Sequence, residues 1–525
     1  MTEYRLNRVL LNETNKHPIL QYNSMNDITS PQDWYYGFSA FFLLGSLLAV
    51  VELIRRHFRW TGEITRKITH VGTGFLVFIS PLFLTSKMPA VVLGSFFTVF
   101  DYFAIRFHWL KGMHGTGRTT YGTAWYPLAF TLLTFLCWEN NKPALMTSML
   151  VLAVGDASAA LIGTRFRNPH SYNLTGDSKS LEGSAGMFVV SFFVIMASFY
   201  FLDRWEFLAW SWKITLLAAF TGSLMATAAE AVSAKGSDNL TIPLSVAFVI
   251  QVMTSSPEFF SVQFAWAAVL SLCASALSYY FRFLNAGGSV TAFILGTLVF
   301  GLGGWVWTAP ILTFFVTSSL LSKMGKRRKK KFDLVFEKGS TRDAAQVIAN
   351  GGLAGVIIVA AFYYPHPYWY PVFLGILAAV TSDTWATEIG VFFKSTPRSI
   401  LTFKKVEPGT SGGVSLIGTL GGALGALCIA VSGYLVNSEL FLKSSLEMSF
   451  FWVILSGVIG SLVDSALGAT LQSQYVCDLC GKVTERKIHC EKVTKLIRGW
   501  EFFHNDRVNM LCGLAGGLAV YMIIY

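Results

Sequence analysis

Apolar runs of spanning length recur along the chain between short charged breaks, for example Trp34 to Val51, Ala144 to Ile162, Met187 to Leu202, Phe264 to Tyr280 and Phe451 to Leu467. Crossing the hydrocarbon core takes about 20 mostly apolar residues in a helix, rather fewer where flanking side chains snorkel. The pattern therefore predicts an all-α, polytopic transmembrane helical bundle of about 14–16 helices. Residues 1–33 are polar and mixed in charge and read as an N-terminal arm with no cleavable leader. Two membrane domains are expected after it, residues 34–255 and 264–525, separated at Ser255-Ser256-Pro257-Glu258. A polar insert at 473–504 interrupts the second.

Composition agrees with the pattern. Hydrophobic residues are 53% of the 525 and charged residues only 14%, where a soluble chain carries about 25%. The 46 glycines suit helices that pack closely through small residues. Much of the formal charge of +11 sits in short loops: Arg55-Arg56-His57, Arg66-Lys67, Lys326 to Lys331 and Lys404-Lys405. Basic loops stay cytoplasmic, which places the expected sites on the cytoplasmic side of a cell (inner) membrane, among lipids that attract the charge. Nucleic-acid binding is excluded by the lack of a soluble basic domain. No GxxxxGK(S/T) loop, protein-kinase signature set or GxSxG elbow occurs.

Ionisable groups at membrane depth are costly and usually functional. They fall here into two series. The first runs Gly155-Asp156-Ala157-Ser158, Lys179-Ser180-Leu181-Glu182-Gly183-Ser184, Glu230 and Asp238-Asn239-Leu240. The second runs Ser382-Asp383-Thr384, Thr410-Ser411-Gly412-Gly413-Val414-Ser415, Asp464-Ser465, and Asn505-Asp506 with Asn509. Asp156 precedes Gly183 by 27 residues and Asp383 precedes Gly412 by 29. Such spacing predicts two pseudo-repeat halves, a common plan in membrane proteins.

In the first half, Ala159, Ala160 and Gly163 follow Asp156 at helical spacing. A carboxylate beside a bare strip suits a metal-bound polyphosphate; a tight helix contact with a satisfied Asp is the alternative. Arg165, Arg167 and Lys179 then offer positive charge, and Ser180 and Ser184 bracket a helix start whose N–H groups can hold phosphate. A plain cytoplasmic connector would also be basic. An interfacial cap explains Asp238-Asn239, but not Glu230 inside Ala226 to Val232.

In the second half, Asp383 with Thr387 and Thr384 with Glu388 are each four apart. Lys394, Arg398, Lys404 and Lys405 follow, and Asp464, Gly468 and Gln472 form a later stripe. Lys323, Arg342, Gln346 and Asn350 make a further polar set. Cys477-x-x-Cys480 with His489 and Cys490 supplies ligands for a small zinc site, though its spacing is irregular; reduced thiols are the alternative. Cys137, Cys273, Cys428 and Cys512 lie in or beside apolar runs and suggest no disulfide framework.

The motifs Gly155 to Gly163, Lys179 to Ser184 and Glu230 through Asp238 to Pro243, with Arg66 to His70 and Tyr121-Gly122-Thr123, resemble the phytol kinase and dolichol kinase family over about residues 50–250. The resemblance implies phosphoryl transfer from CTP, with a divalent metal such as Mg²⁺, to an isoprenoid alcohol. It makes Asp156, Lys179, Glu182 and Asp238 the nucleotide and metal candidates. Residues 265–525 are similar to a second membrane family, the one containing the phytyl-phosphate kinase of tocopherol synthesis and an uncharacterised animal transmembrane family. That similarity rests on Arg342 to Gly351, Ser382 to Gly390, Gly409 to Ser415, Asp464 to Gln472 and Asn505 to Asn509.

The expected function is a bifunctional kinase that converts an alcohol of the phytol or geranylgeraniol type to its monophosphate in the first half and to the diphosphate in the second. Asp156, Glu230, Asp238, Asp383, Asp464 and Asp506 are the catalytic candidates, Asp156 and Asp383 also for Mg²⁺. Phosphate or nucleotide would be held by Arg165, Lys179, Ser180, Glu182, Gly183 and Asn239, and by Arg342, Lys404, Lys405, Thr410, Gly412, Gly413, Asn505 and Asn509. Phosphoryl transfer is mainly positioning and charge stabilisation. An alcohol needs a base, while a monophosphate acceptor needs extra cations. Four cations in Lys394 to Lys405, against Arg165, Arg167 and Lys179, mildly favour that order. A CTP-dependent cytidylyltransferase, a single-activity polyprenol or dolichol kinase and a lipid-phosphate transporter are the competing readings.

Overall fold

The computed structural model describes residues 29–60, 62–107, 121–209, 211–329, 341–393, 395–407, 410–439 and 446–524. Nearly all of the expected N-terminal arm, and Lys394 and Gly409, lie outside them. The chain divides into two compact units, Met1–Pro257 and Glu258–Tyr525. Eleven helices among the described residues are long and apolar enough to cross a membrane. The protein is an all-α, multi-pass membrane bundle with little sheet.

Unit 1 contains α1 (Pro31–Phe58), α2 (Gly62–Phe83), α3 (Met88–Arg106), α4 (Gly122–Cys137), α5 (Lys142–Arg165), α6 (Leu181–Arg204), α7 (Trp212–Val232) and α8 (Asp238–Ser255). A two-stranded antiparallel ribbon, β1 (Ser171–Asn173) with β2 (Ser178–Ser180), joins α5 to α6. Ser30 and Asp33 form a capping box that starts α1. The Asp33 carboxylate also accepts from Thr85 N at 2.7 Å and Thr85 Oγ1 at 2.8 Å, which fastens the α2–α3 turn to that start. Large side chains sort by face. Leu145, Met149, Leu152, Ile195 and Phe199 are buried between helices, while Phe42, Leu53, Phe135 and Phe193 are exposed. Helix α5 changes pitch midway, with a π-helical turn over Val151–Asp156. Such turns open the backbone ladder and occur often at functional sites.

Unit 2 contains α9 (Glu258–Tyr280), α10 (Ala286–Lys329), α11 (Ala344–Tyr363), α12 (Trp369–Phe392), α13 (Leu416–Val436), α14 (Leu446–Thr470) and α15 (Asn505–Ile524). A short ribbon, β3 (Arg398–Ser399) with β4 (Gly413–Val414), joins α12 to α13. Helix α12 is the hub. Its residues Tyr370 to Val380 are almost wholly buried against α10, α11, α13 and α14. Helix α10 is broken at Gly304, whose φ of 57° and ψ of −155° are open to glycine but strained for other residues. The two halves fold back on each other there. Lys323, near the end of α10, donates to Phe281 O and lies over the Phe283 ring at 3.8 Å, just before the helix begins. Gln263 Nε2 donates to Gly301 O at 3.1 Å, satisfying a carbonyl released by the break. The polar insert is a set of small ribbons: β5 (Gln474–Val476), β6 (Val483–Thr484) and β9 (Lys495–Arg498) in the order β6-β5-β9, and β7 (Ile488–His489) paired with β8 (Lys492–Val493).

Candidate active sites

In unit 1 the polar residues converge from β1, β2 and helices α5 to α8. Lys179 on β2 extends its ammonium to Glu230 Oε1 at 2.9 Å and Asp238 Oδ2 at 3.4 Å, and also donates to the Glu230 carbonyl. Glu230 is buried near the end of α7, and Asp238 opens α8. Ser184 on α6 donates to Glu230 Oε2 at 3.3 Å and is hydrogen-bonded to Tyr172 at 2.6 Å. Asp156, at the end of the π-helical turn, interacts electrostatically with Asp238, Lys179, Glu230 and Arg66. Burial works against the Lys179 charge, but Glu230 and Asp238 outweigh it and hold the ammonium above its ordinary value. Asn239 donates to Gly122 O at 2.9 Å and ties this corner to α4.

In unit 2 a cavity of about 760 Å³ opens among α12, α13, α14, the ribbon and the insert. Asp383, Thr384, Thr387 and Glu388 line it from α12, Asp464 and Ser465 from α14, and Asn505 and Asn509 from α15. Thr410 to Ser415 form another wall. Asp383 and Asp464 interact electrostatically, and Asp464 Oδ1 is buried with no hydrogen-bond partner. Ser411 Oγ donates to Gln472 Oε1 at 2.7 Å, and Gln472 Nε2 donates to Glu485 Oε1 at 2.9 Å, so the insert contributes an acid to the cavity. Among the described residues, no Lys or Arg lines it.

The two units repeat one local frame. Ser180 caps α6 by accepting from Gly183 N at 3.1 Å, and Ser415 caps α13 by accepting from Gly418 N at 3.1 Å. A Cβ on Gly183 would lie 2.9 Å from Ala159 O, and one on Gly418 would lie 2.9 Å from Ala386 O. One turn later, a Cβ on Gly186 would meet Ile162 Cδ1 at 2.6 Å, and one on Gly421 would meet Ile389 Cδ1 at 2.8 Å. Ala159 and Ala386 each stand three residues after their aspartate, Asp156 and Asp383. Each unit thus packs an Asp-bearing helix against a serine-capped, glycine-faced helix reached through a ribbon.

Residues 269–517 match the family described as Integral membrane protein DUF92. The protein named PGR of Arabidopsis thaliana is 30% identical over 282 residues, covering 49% of this chain and 94% of that relative. The chain belongs to the DUF92 membrane family. Similarity extends to the phytol kinase of Synechocystis sp., 31% identical over 210 residues, 39% of this chain and 86% of the relative. An uncharacterized membrane protein of Methanocaldococcus jannaschii is 26% identical over 264 residues, 50% of this chain and 94% of the relative. No solved structure matches the chain.

The unit 2 cavity gathers most of the residues that sequence reasoning grouped in the second half, but among the described residues not its cations. Lys404 and Lys405 are exposed on the ribbon loop and do not line the cavity; Arg398, also exposed, donates to Phe403 O at 3.1 Å. Arg342 packs over Phe314 and Phe315, away from the lining. In unit 1, Arg165 is exposed at the end of α5. Glu182 pairs with His170 Nδ1 at 2.7 Å rather than with the Lys179 cluster. A loop's charge count does not say which way its side chains turn. The helix starts are also closed to phosphate in part: Leu181 N donates to His170 O and Gly183 N to Ser180 Oγ. The repeat register shifts as well. Gly183 corresponds to Gly418, 35 residues after Asp383, and not to Gly412, which turns the ribbon loop at φ 81°. Asp506 stands at the start of α15 with Oδ2 3.8 Å from His504 Nδ1, beside the lining residue Asn505. Glu485 and Arg66 were not named as site candidates; Arg66 was visible as loop charge and as the start of the Arg66 to His70 motif, and Glu485 carries no local signal in a polar insert.

Proposed function

We propose that the chain is a membrane kinase for an isoprenoid alcohol, with CTP as donor, in which unit 1 makes the monophosphate and unit 2 adds the second phosphate. The repeated frame carries this reading, because two equivalent acid-bearing scaffolds in one chain suit two related transfers. The similarity to a phytol kinase supports the substrate class.

Both sites suit a hard divalent cation such as Mg²⁺. Asp383 and Asp464, with its orphaned oxygen, would hold it in unit 2, and Asp156 would in unit 1. Bound there, the metal would neutralise charge on the transferring phosphoryl oxygens. The chain's own groups do the rest. Lys179 fixes Glu230 and Asp238, and Asp238 is the more open of the two, with 22% of its side chain exposed against 10%. Asp238 is therefore assigned as the base: it takes the alcohol proton while the alkoxide oxygen bonds the γ-phosphorus and CDP departs. In unit 2 the lining hydroxyls and Asn505 and Asn509 position the phosphates. A cavity whose described lining carries four acids and no basic side chain favours an anionic acceptor that arrives together with cations. The basic loops support a cytoplasmic side of a cell membrane for both sites.

Purified chain in detergent, given γ-labelled CTP, Mg²⁺ and phytol or geranylgeraniol, tests the proposal. Label is expected in lipid diphosphate for the wild type, in monophosphate for Asp383→Ala, and in neither for Asp156→Ala. Absence of labelled lipid with any isoprenoid alcohol overturns the reading. Transfer of label only from the α-position would instead identify a cytidylyltransferase.

A further inference from the structure

The insert between α14 and α15 carries a cluster outside the chemistry described above. The ligand atoms of Cys477, Cys480, His489 and Cys490 all lie within 4.8 Å of one another. His489 Nδ1 is 3.6 Å from Cys480 Sγ and 3.3 Å from Cys490 Sγ. A tetrahedral zinc ion with Zn–S of about 2.3 Å and Zn–N of about 2.0–2.1 Å sets S···N near 3.5 Å and S···S near 3.8 Å. The two S···N separations already stand near that spacing, and the remaining ligand atoms lie within 4.8 Å of one another.

The backbone points the same way. Cys477 and Cys480 sit on a tight turn closed by Gly481 N donating to Cys477 O at 2.8 Å and Cys477 N donating to Lys482 O at 3.0 Å, with Gly481 at φ 68°. The β7–β8 hairpin turns through Cys490 and Glu491, at φ 50° and 61°. Two-residue turns of that kind favour Asn-Gly or Gly-Gly, and a Cys-Glu pair there is strained. Ligation through Cys490 supplies a reason for the strain to persist. Three thiols and one imidazole are soft and borderline donors, suited to zinc and not to Mg²⁺.

We infer that this insert is a structural zinc site of three cysteines and one histidine, and that its metal holds Glu485 in the wall of the unit 2 cavity. Glu485 follows β6 directly, within the segment bounded by Cys480 and His489, and Gln472 links it to Ser411. The metal assignment stands whether or not the chain is a kinase.

The test is metal analysis of the full chain purified without added metal or chelator, followed by exchange with cobalt. About one zinc per chain is expected, with the intense visible absorption of a tetrahedral, thiolate-rich Co²⁺ site after exchange. Cys477→Ser and Cys490→Ser should lose the metal, while Cys273→Ser and Glu485→Gln keep it. Metal-free wild-type protein, with its thiols free or paired as a disulfide, overturns the inference, as does zinc retained by both ligand variants. If the ligand variants fail to accumulate, zinc content and the cobalt spectrum of the wild type decide.

Discussion

Replacing Lys179 by Met removes the cation shared by Glu230 and Asp238 and leaves two acids facing each other at the end of α7 and the start of α8. The ammonium lies 2.9 Å from Glu230 Oε1 and 3.4 Å from Asp238 Oδ2, with only 12% of the lysine side chain exposed. At an effective dielectric near 20, one charge pair at that separation interacts by roughly 6 kcal/mol. Desolvation offsets much of this, and removing one partner of a buried pair costs about 3–5 kcal/mol because the other charge stays behind. For a unit of this size each kcal/mol moves Tm by about 2–4 °C, so Lys179→Met should lower it by roughly 10 °C. Lys179→Met combined with Glu230→Gln should recover a large part, since the abandoned charge is then neutral. Thermal unfolding of the purified chain in detergent measures both. A single variant as stable as the wild type, or a double variant no better than the single, would refute the reasoning.

Three further outcomes are expected. Because Lys179 titrates above its ordinary 10.5 in the folded chain, the stability it supplies should be complete below about 10.5 and lost only as pH rises past the folded value; Tm differences between wild type and Lys179→Met across an alkaline series check the sign. Gly183→Ala and Gly418→Ala each force a Cβ to 2.9 Å from a carbonyl oxygen and should cost about 1–3 kcal/mol, read as lowered Tm, with loss of the first and the second phosphorylation respectively. Lys404→Ala with Lys405→Ala should leave both phosphorylations within about twofold in the labelled-CTP assay, as exposed groups outside the cavity, whereas Asp464→Asn should slow the second by at least about 10²-fold.

What could be read along the chain was whatever membrane burial makes expensive. Glu230 and Asp464 stand out within apolar runs because a charge there needs a partner or a task; Glu230 meets Lys179, and Asp464 lines the unit 2 cavity. Glu485 was hidden for the opposite reason, since an acid in a polar insert is ordinary until folding carries it to Gln472. Lys404 and Lys405 misled because charge counting records a loop's composition and not its facing. The repeat register was obscured by length: 27 residues separate Asp156 from Gly183, and 35 separate Asp383 from Gly418, the difference lying in the ribbon segment. The matching serine caps and the approaches to Ala159 O and Ala386 O recover the pairing.

The fold-back at Gly304 changes how the path of the chain across the bilayer must be counted. The apolar stretch Ala286–Met324 is 39 residues, about 58 Å if straight, close to twice the hydrocarbon thickness. Hydropathy scores it as one crossing, yet Lys323 returns to Phe281 and Phe283. The stretch therefore crosses twice, and α11 starts on the face where α9 ended. Any tag, glycosylation or cysteine-labelling map drawn from apolar runs alone would assign the wrong side to everything from Thr341 onward, so one glycine sets the parity of the whole C-terminal topology.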